Sequence, residues 1–269
     1  MRAGSEYPLW SILRLIPMWL AIALLPVFLA NAQEPHTSKV VRDPQAIAIL
    51  QTAVKALGGF TALSQVTDTT MQGTAQPSDS STSTESFVWQ SKGQDIRREH
   101  HDGDGIHIFT THQGKGKRFL PNSTTQEINT RTSLTLFPFE MPGVVLLHIL
   151  GNPDYSLNIA TDPEQASSLL HIRALRLDLK PGYSQVSTQD WYFDSTTGLP
   201  VRVEFAMPDT REPSRDGVAT ITYDAWHTDS GLLFPQHMRY LADGALQSVL
   251  TISSFQINQG LGAALFQVR

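Results

Sequence analysis

The stretch WYFDSTTGLPVRVEF, Trp191 to Phe205, alternates bulky apolar and polar residues, breaks at a polar turn, and alternates again. Successive side chains of a strand point to opposite faces. Trp191 and Phe193 therefore share one face of a first strand, and Val201, Val203 and Phe205 share one face of a second, with Tyr192, Arg202 and Glu204 turned the other way. Asp194 to Gly198, DSTTG, is turn chemistry: short side-chain oxygens that can cap backbone amides, then a glycine free to take positive φ. Asp190 and Asp194 then belong to a strand flank and a turn, and we read them as structural, not as an acid/base pair. The hairpin is a wall, and the open question is whether it faces a ligand cavity or a filled core; we adopt the cavity.

Similar walls lie on both sides of it. Upstream, strand patterns run over Thr69 to Thr74, Ser86 to Lys92 with Phe87 and Trp89 on one face, Ile96 to His100, and Ile106 to Thr111. The loop PSDSSTST, Pro77 to Thr84, joins the first two. Others follow at Tyr155 to Ala160, His171 to Leu179 with Leu175 and Leu177, Val218 to Trp226, Leu233 to Leu241 and Leu246 to Ile257. Lys180-Pro181-Gly182, Asp209 to Gly217, Asp229-Ser230-Gly231 and Asp243-Gly244 separate them as turns. Connections this short exclude parallel crossovers, so the sheet is antiparallel. About ten such strands predict a mainly β (α+β) protein: one strongly curved antiparallel sheet or incomplete barrel.

Two helical stretches interrupt the strands. Asp43 and Pro44 have the character of an N-cap and first helical residue, Ile47, Leu50, Val54 and Leu57 follow at helical spacing, and Gly58-Gly59 ends the run. Leu134 to Leu150, LTLFPFEMPGVVLLHIL, is broken by Pro138 and Pro142 into a turn and a short helix near Gly143 to Leu150. Its residues Val144, Val145, Leu146, Leu147, Ile149 and Leu150 make it apolar on nearly every side, which demands cover on nearly every side. We read it as a lid or plug for the inner face of the sheet.

The chain opens with Arg2 and Arg14, then the uncharged run Leu15 to Ala30, then Ala30-Asn31-Ala32 before polar Gln33. That is the three-part pattern of a secretory signal peptide over residues 1–32, cleaved between Ala32 and Gln33. An uncleaved anchor is the alternative, against which stand Pro17, Pro26 and a length below the roughly 20 residues of a spanning helix. Residues 33–42 form a polar lead-in and 43–269 a single domain. The 269 residues are 41 % apolar and 17 % charged, ordinary for a globular protein. The net charge is −5, and −6 without the leader, with no Lys/Arg block to attract nucleic acid or an anionic membrane. With no cysteine, disulfides, thiolate metal sites, cysteine nucleophiles and lipidated N-terminal cysteine are excluded, so the exported protein is not a lipoprotein.

Motifs of catalysis are missing: no GxSxG elbow, HExxH helix or GxGxxG fingerprint occurs. His100, His101, His107 and His112, with Asp102 and Asp104, are the nearest thing to a metal site, but neighbouring strand residues point to opposite faces, and Asp102-Gly103-Asp104-Gly105 is a natural turn. An EF-hand would need Glu where Gln113 stands. Gly114 to Lys117 reads as a basic turn, and His148 as a ring that packs and bonds locally. No catalytic residue, metal or cofactor is expected.

WYFDSTTGLPVRVEF, followed by ITYDAWHTDSGLLFPQHMRYLADGALQSVLTISSFQIN and the closing LGAALF, resembles the C-terminal half of the LolA/LolB-like outer-membrane lipoprotein carrier superfamily. It is most similar to an exported branch with a "D..TGLP.R" turn and a "GLLFP" turn, and the Asp43 to Gly59 helix and Val66-Thr67-Asp68 fit that branch's N-terminal pattern. The resemblance implies an incomplete antiparallel barrel closed by helices, whose apolar concave face accepts acyl chains of lipoprotein or lipid. In that family a lid is held by arginine and loop contacts; Arg97 and Arg98 lie on an early strand, but no binding residue is carried over.

The expectation is thus a non-catalytic periplasmic carrier or chaperone, with Phe87, Trp89, Leu175, Leu177, Trp191, Phe193, Val201, Val203 and Phe205 lining the cavity. Its alternatives are an envelope sensor or accessory subunit that binds a membrane protein or glycolipid, and a metal-assisted hydrolase built on the His100 to His112 group.

Overall fold

The computed structural model describes residues 39–78, 83–161, 168–180, 183–208 and 216–267. The leader, most of the lead-in, the centre of the PSDSSTST loop, Pro181-Gly182 and most of the Asp209 to Gly217 turn lie outside them.

Among the described residues thirteen strands form one antiparallel sheet: β1 (Thr69–Pro77), β2 (Glu85–Lys92), β3 (Asp95–Asp102), β4 (Gly105–His112), β5 (Lys115–Phe119), β6 (Thr125–Ile128), β7 (Tyr155–Ile159), β8 (Leu169–Arg176), β9 (Gln189–Asp194), β10 (Pro200–Pro208), β11 (Asp216–Asp229), β12 (Leu232–Ala242) and β13 (Ala245–Ile257). Their order is β6-β5-β4-β3-β2-β1-β13-β12-β11-β10-β9-β8-β7. Each half is a meander of neighbours in sequence, and one long-range pairing, β1 against β13 with Thr69 opposite Ile257, joins them. The register of that pairing shifts between Gln72 and Gly73. A Cβ on Gly73 would run into the Thr251 carbonyl and come within 2.7 Å of Phe87 Cζ, so only glycine fits.

Turn chemistry sets the hairpins. Asp102 accepts from the amides of Asp104 and Gly105, at 2.8 and 3.0 Å. Asp194 accepts from the amides of Thr196 and Thr197, at 3.1 and 2.7 Å. Asp190 bonds His171 at 2.7 Å and Arg173 at 2.9 Å on the outer face.

The sequence count of about ten strands falls short of thirteen. Gln113 and Gly114, both at positive φ, make the turn by themselves, and Lys115 begins β5 where a basic turn was expected.

Among the described residues four α-helices accompany the sheet: α1 (Pro44–Ala56), α2 (Gly59–Ser64), α3 (Thr130–Thr135) and α4 (Pro142–Gly151). Asp43 caps α1 by accepting from Gln45 N at 2.7 Å, and Ala46, Leu50, Ala53, Val54 and Leu57 are buried along one face. At α4 the guanidinium of Arg42 donates to the carbonyls of Leu150 and Asn152, both at 2.6 Å, satisfying the helix C-terminus with a cation. Arg42 also forms a parallel bridge with Leu157, so the end of the lead-in covers the free edge of β7.

The sheet is not closed, yet its two halves approach one another. Helix α3 touches β5 in one half and β10 in the other, and Arg131 of α3 pairs with Asp216 of β11. An open sheet whose opposite halves reach one short helix is curled into an incomplete barrel.

Candidate functional site

The inner face carries most of the expected wall. Phe87, Trp89, Trp191, Phe193, Val203 and Phe205 are all buried in one apolar cluster with Met71, Ile172, Met238 and Ile252. Three of the nine expected residues are elsewhere. Ser156 faces Leu175 and Leu157 faces Ala174, so Ala174 lies on the inner side and Leu175 on the opposite one, and Leu177 follows the end of β8. On β10 the register slips between Pro200 and Arg202, which sets Pro200 opposite Phe193 and leaves Val201 in the bulge. Val201, Leu175 and Leu177 are all outside the buried cluster.

The inner face is occupied by the chain itself. Phe139 stacks on Phe205 with ring centroids 4.3 Å apart and lies 6.1 Å from Trp191. The segment that carries it is held from both walls. From β3, Arg98 Nη2 donates to the Phe137 carbonyl and to the Glu140 carboxylate, each at 3.1 Å, while its guanidinium lies over the Trp89 ring. From β11, the hydroxyl of Tyr223 donates to the Phe139 carbonyl at 3.0 Å. Burial, with the Glu140 carboxylate nearby, pushes the Tyr223 phenol up, so it stays a donor.

Above this segment, Pro142 opens α4. Val145, Leu146 and Ile149 are buried, while Val144, Leu147 and Leu150 pack against the cluster only in part. Gly143 lets the helix approach its neighbours: a Cβ there would stand 2.8 Å from Leu63 and 3.3 Å from Leu57. The partly covered flank borders a cleft of about 420 Å³. Its walls are Leu63 and Ser64 of α2 with Val66 after it, Phe137 and Pro138 of the inner segment, Val144, Val145 and Leu147 of α4, and the Gly93-Gln94 turn between β2 and β3. At its rim Gln94 Nε2 donates to His148 Nε2 at 2.6 Å. An amide N–H needs a bare ring nitrogen to accept it. Burial also holds His148 below the usual imidazole range, and its ring meets Tyr155 edge-on.

Of the clustered histidines, His100 and His112 have hydrogen-bond partners of their own, whereas both ring nitrogens of His107 and Nε2 of His101 have none among the described residues. Trp89 Nε1 donates to His100 Nε2 at 3.1 Å, His107 lies 3.0 Å from Asp102, and His112 lies 2.8 Å from Asp95. Among the described residues no three His, Asp or Glu side chains come together as a metal site. Sequence alone could not disclose the cleft, because its walls come from four segments with no shared motif. The signal within reach was His148 inside an apolar helix.

A single antiparallel sheet curled around a helical cover is a fold this chain shares with solved structures, a LolA superfamily protein among them. The sequence matches no protein-family model and no curated protein. Among solved structures it superposes on the LolA superfamily protein NE2245 from Nitrosomonas europaea with a TM-score of 0.53, at 14% identity over 82% of this chain and 97% of that one. A DUF1329 family protein from Desulfovibrio piger gives 0.52, at 14% identity and 82% and 96% coverage. A domain from Vibrio parahaemolyticus described as an outer membrane lipoprotein-sorting protein gives 0.51, at 14% identity and 82% and 97% coverage.

Proposed function

We propose that this protein is a non-catalytic carrier or chaperone of the periplasm that shelters acylated cargo, the lipid of a lipoprotein or a free lipid, behind α4 and the segment that carries Phe139. One observation carries the reading: a large apolar inner face is covered by α1, α2, the almost wholly apolar α4 and a pinned loop, not by another sheet, and a preformed cleft opens beside α4. Cover of this kind can be displaced without unpairing a strand. Each methylene transferred from water to such a surface is worth about 0.8 kcal/mol, so acyl chains bind by area and need no catalytic group. The signal-peptide pattern and the shared fold with a lipoprotein-sorting domain support the placement and the class of cargo.

Native mass spectrometry of gently purified protein, followed by titration with a fluorescent fatty-acyl probe, tests the reading. Retained lipid or saturable probe binding is expected. Protein that never carries lipid and shows no affinity for the probe would end it, and a stable membrane-protein partner without lipid transfer would point to a sensor instead.

A further inference from the structure

We infer that the cleft between α2, α4 and the β2–β3 turn is a preformed subsite for one acyl chain whose polar end is uncharged, such as an ester, amide or alcohol, with Gln94 and His148 at its rim contacting that end. The inference rests on the carrier reading and adds where the chain first lodges and what head it bears.

At the inner wall behind the cover, Phe139 occupies the space against Phe205 and Trp191. The cleft, at about 420 Å³, lies within the range of sites that hold one small apolar ligand. Leu63, Val66, Phe137, Val144 and Leu147 give it hydrocarbon walls.

The choice of head follows from charge. Among the described residues no Lys, Arg, Asp or Glu lines the cleft. The nearby Arg176 and Asp178 are bound to each other, with two contacts of 2.7 Å, and so offer neither sign to a ligand. The rim pair is a neutral amide and, since Nε2 accepts the amide proton, a neutral imidazole. A carboxylate or ammonium brought here would lose water without gaining a counter-charge, whereas an ester, amide or hydroxyl would keep its hydrogen bonds.

The test uses the full chain and three competitors of equal straight-chain length, an alcohol, its carboxylate and its trimethylammonium counterpart, against a fluorescent alkyl probe. The alcohol should compete best, with each charged analogue about tenfold weaker or worse. Val144→Trp, which fills the cleft, should remove alcohol binding while circular dichroism stays unchanged. Photo-crosslinking of a diazirine alcohol to the wild-type chain should label Leu63 or Leu147, and this map decides the matter if Val144→Trp does not fold. Equal binding of the carboxylate would refute the uncharged head. Full binding by Val144→Trp, or labels at Trp191 and Phe205, would refute the cleft while leaving the carrier reading intact. A wild-type chain that binds none of the three would overturn the carrier reading, and the subsite with it.

Discussion

Arg98 on β3 and Glu140 ahead of α4 meet at 3.1 Å, with side chains 18% and 3% exposed. The pair ties one wall of the sheet to the segment filling its inner face. Breaking a buried pair leaves a charge without compensation. Arg98→Met should therefore lower stability by about 3–5 kcal/mol in urea unfolding, and adding Glu140→Leu should restore much of it. If the segment is a gate, the single variant also exchanges bound acyl probe faster than wild type.

Phe139 is 1% exposed and stacked on Phe205. Phe139→Ala should cost about 3–5 kcal/mol, through lost contact and the cavity left behind. That cavity lies against the apolar wall of Trp191 and Phe205, so the variant should bind alkyl probe with higher affinity than wild type despite its lower melting temperature. Calorimetry and probe titration read the two effects separately.

Asp68 is 2% exposed, and its carboxylate accepts from the amides of Gln259, Gly260 and Leu261 at 2.7, 3.1 and 3.3 Å. It fastens the chain after β13 to the start of β1. Asp68→Ala leaves three amides without their acceptor and should cost about 2–3 kcal/mol. Asp68→Asn keeps one oxygen and should cost less; thermal unfolding ranks the two.

Burial, helped by the charge of Arg98, lowers the His100 imidazole to about 4. The folded value lies below the unfolded one near 6.5, so on acidification the unfolded chain takes up the proton first. The stability due to neutral His100 is complete above pH 6.5 and is lost as pH falls toward 4, by about 1–2 kcal/mol after allowance for partial exposure. Glu85, raised mainly by burial, acts in the opposite sense at acid pH. His100→Asn should flatten the decline of melting temperature between pH 6.5 and 4.

The hairpin turns were legible because aspartate and glycine there do jobs few residues can do: Asp194 and Asp102 cap amides, and Gly198, Gly231 and Gly244 take positive φ. Helix α4 was legible from its proline and its apolar run. What escaped were features set by partners distant in sequence. Nothing in Pro200-Val201-Arg202 announces a bulge, so uninterrupted alternation put Val201 on the wall. In His171 to Leu179 the larger leucines drew the reading to the outer side, whereas β8 turns Ile172 and the small Ala174 inward. Strand β6 is polar and mostly exposed, and α3, Thr130–Thr135, is rich in threonine; its Asn129 cap and its contacts with β5 and β10 hold it. The cleft is assembled from segments that meet only after folding.

The pairing of β1 with β13 has one more consequence. Among the described residues every other strand pairing joins sequence neighbours, so the sheet is two fans stitched along one seam whose two edges are β1 and β13. The seam can close only after β13 has been made. Cut in the connection between Ile128 and Thr130, the chain would yield two fragments, each a complete fan with one exposed edge complementary to the other's, and mixing them should rebuild the whole.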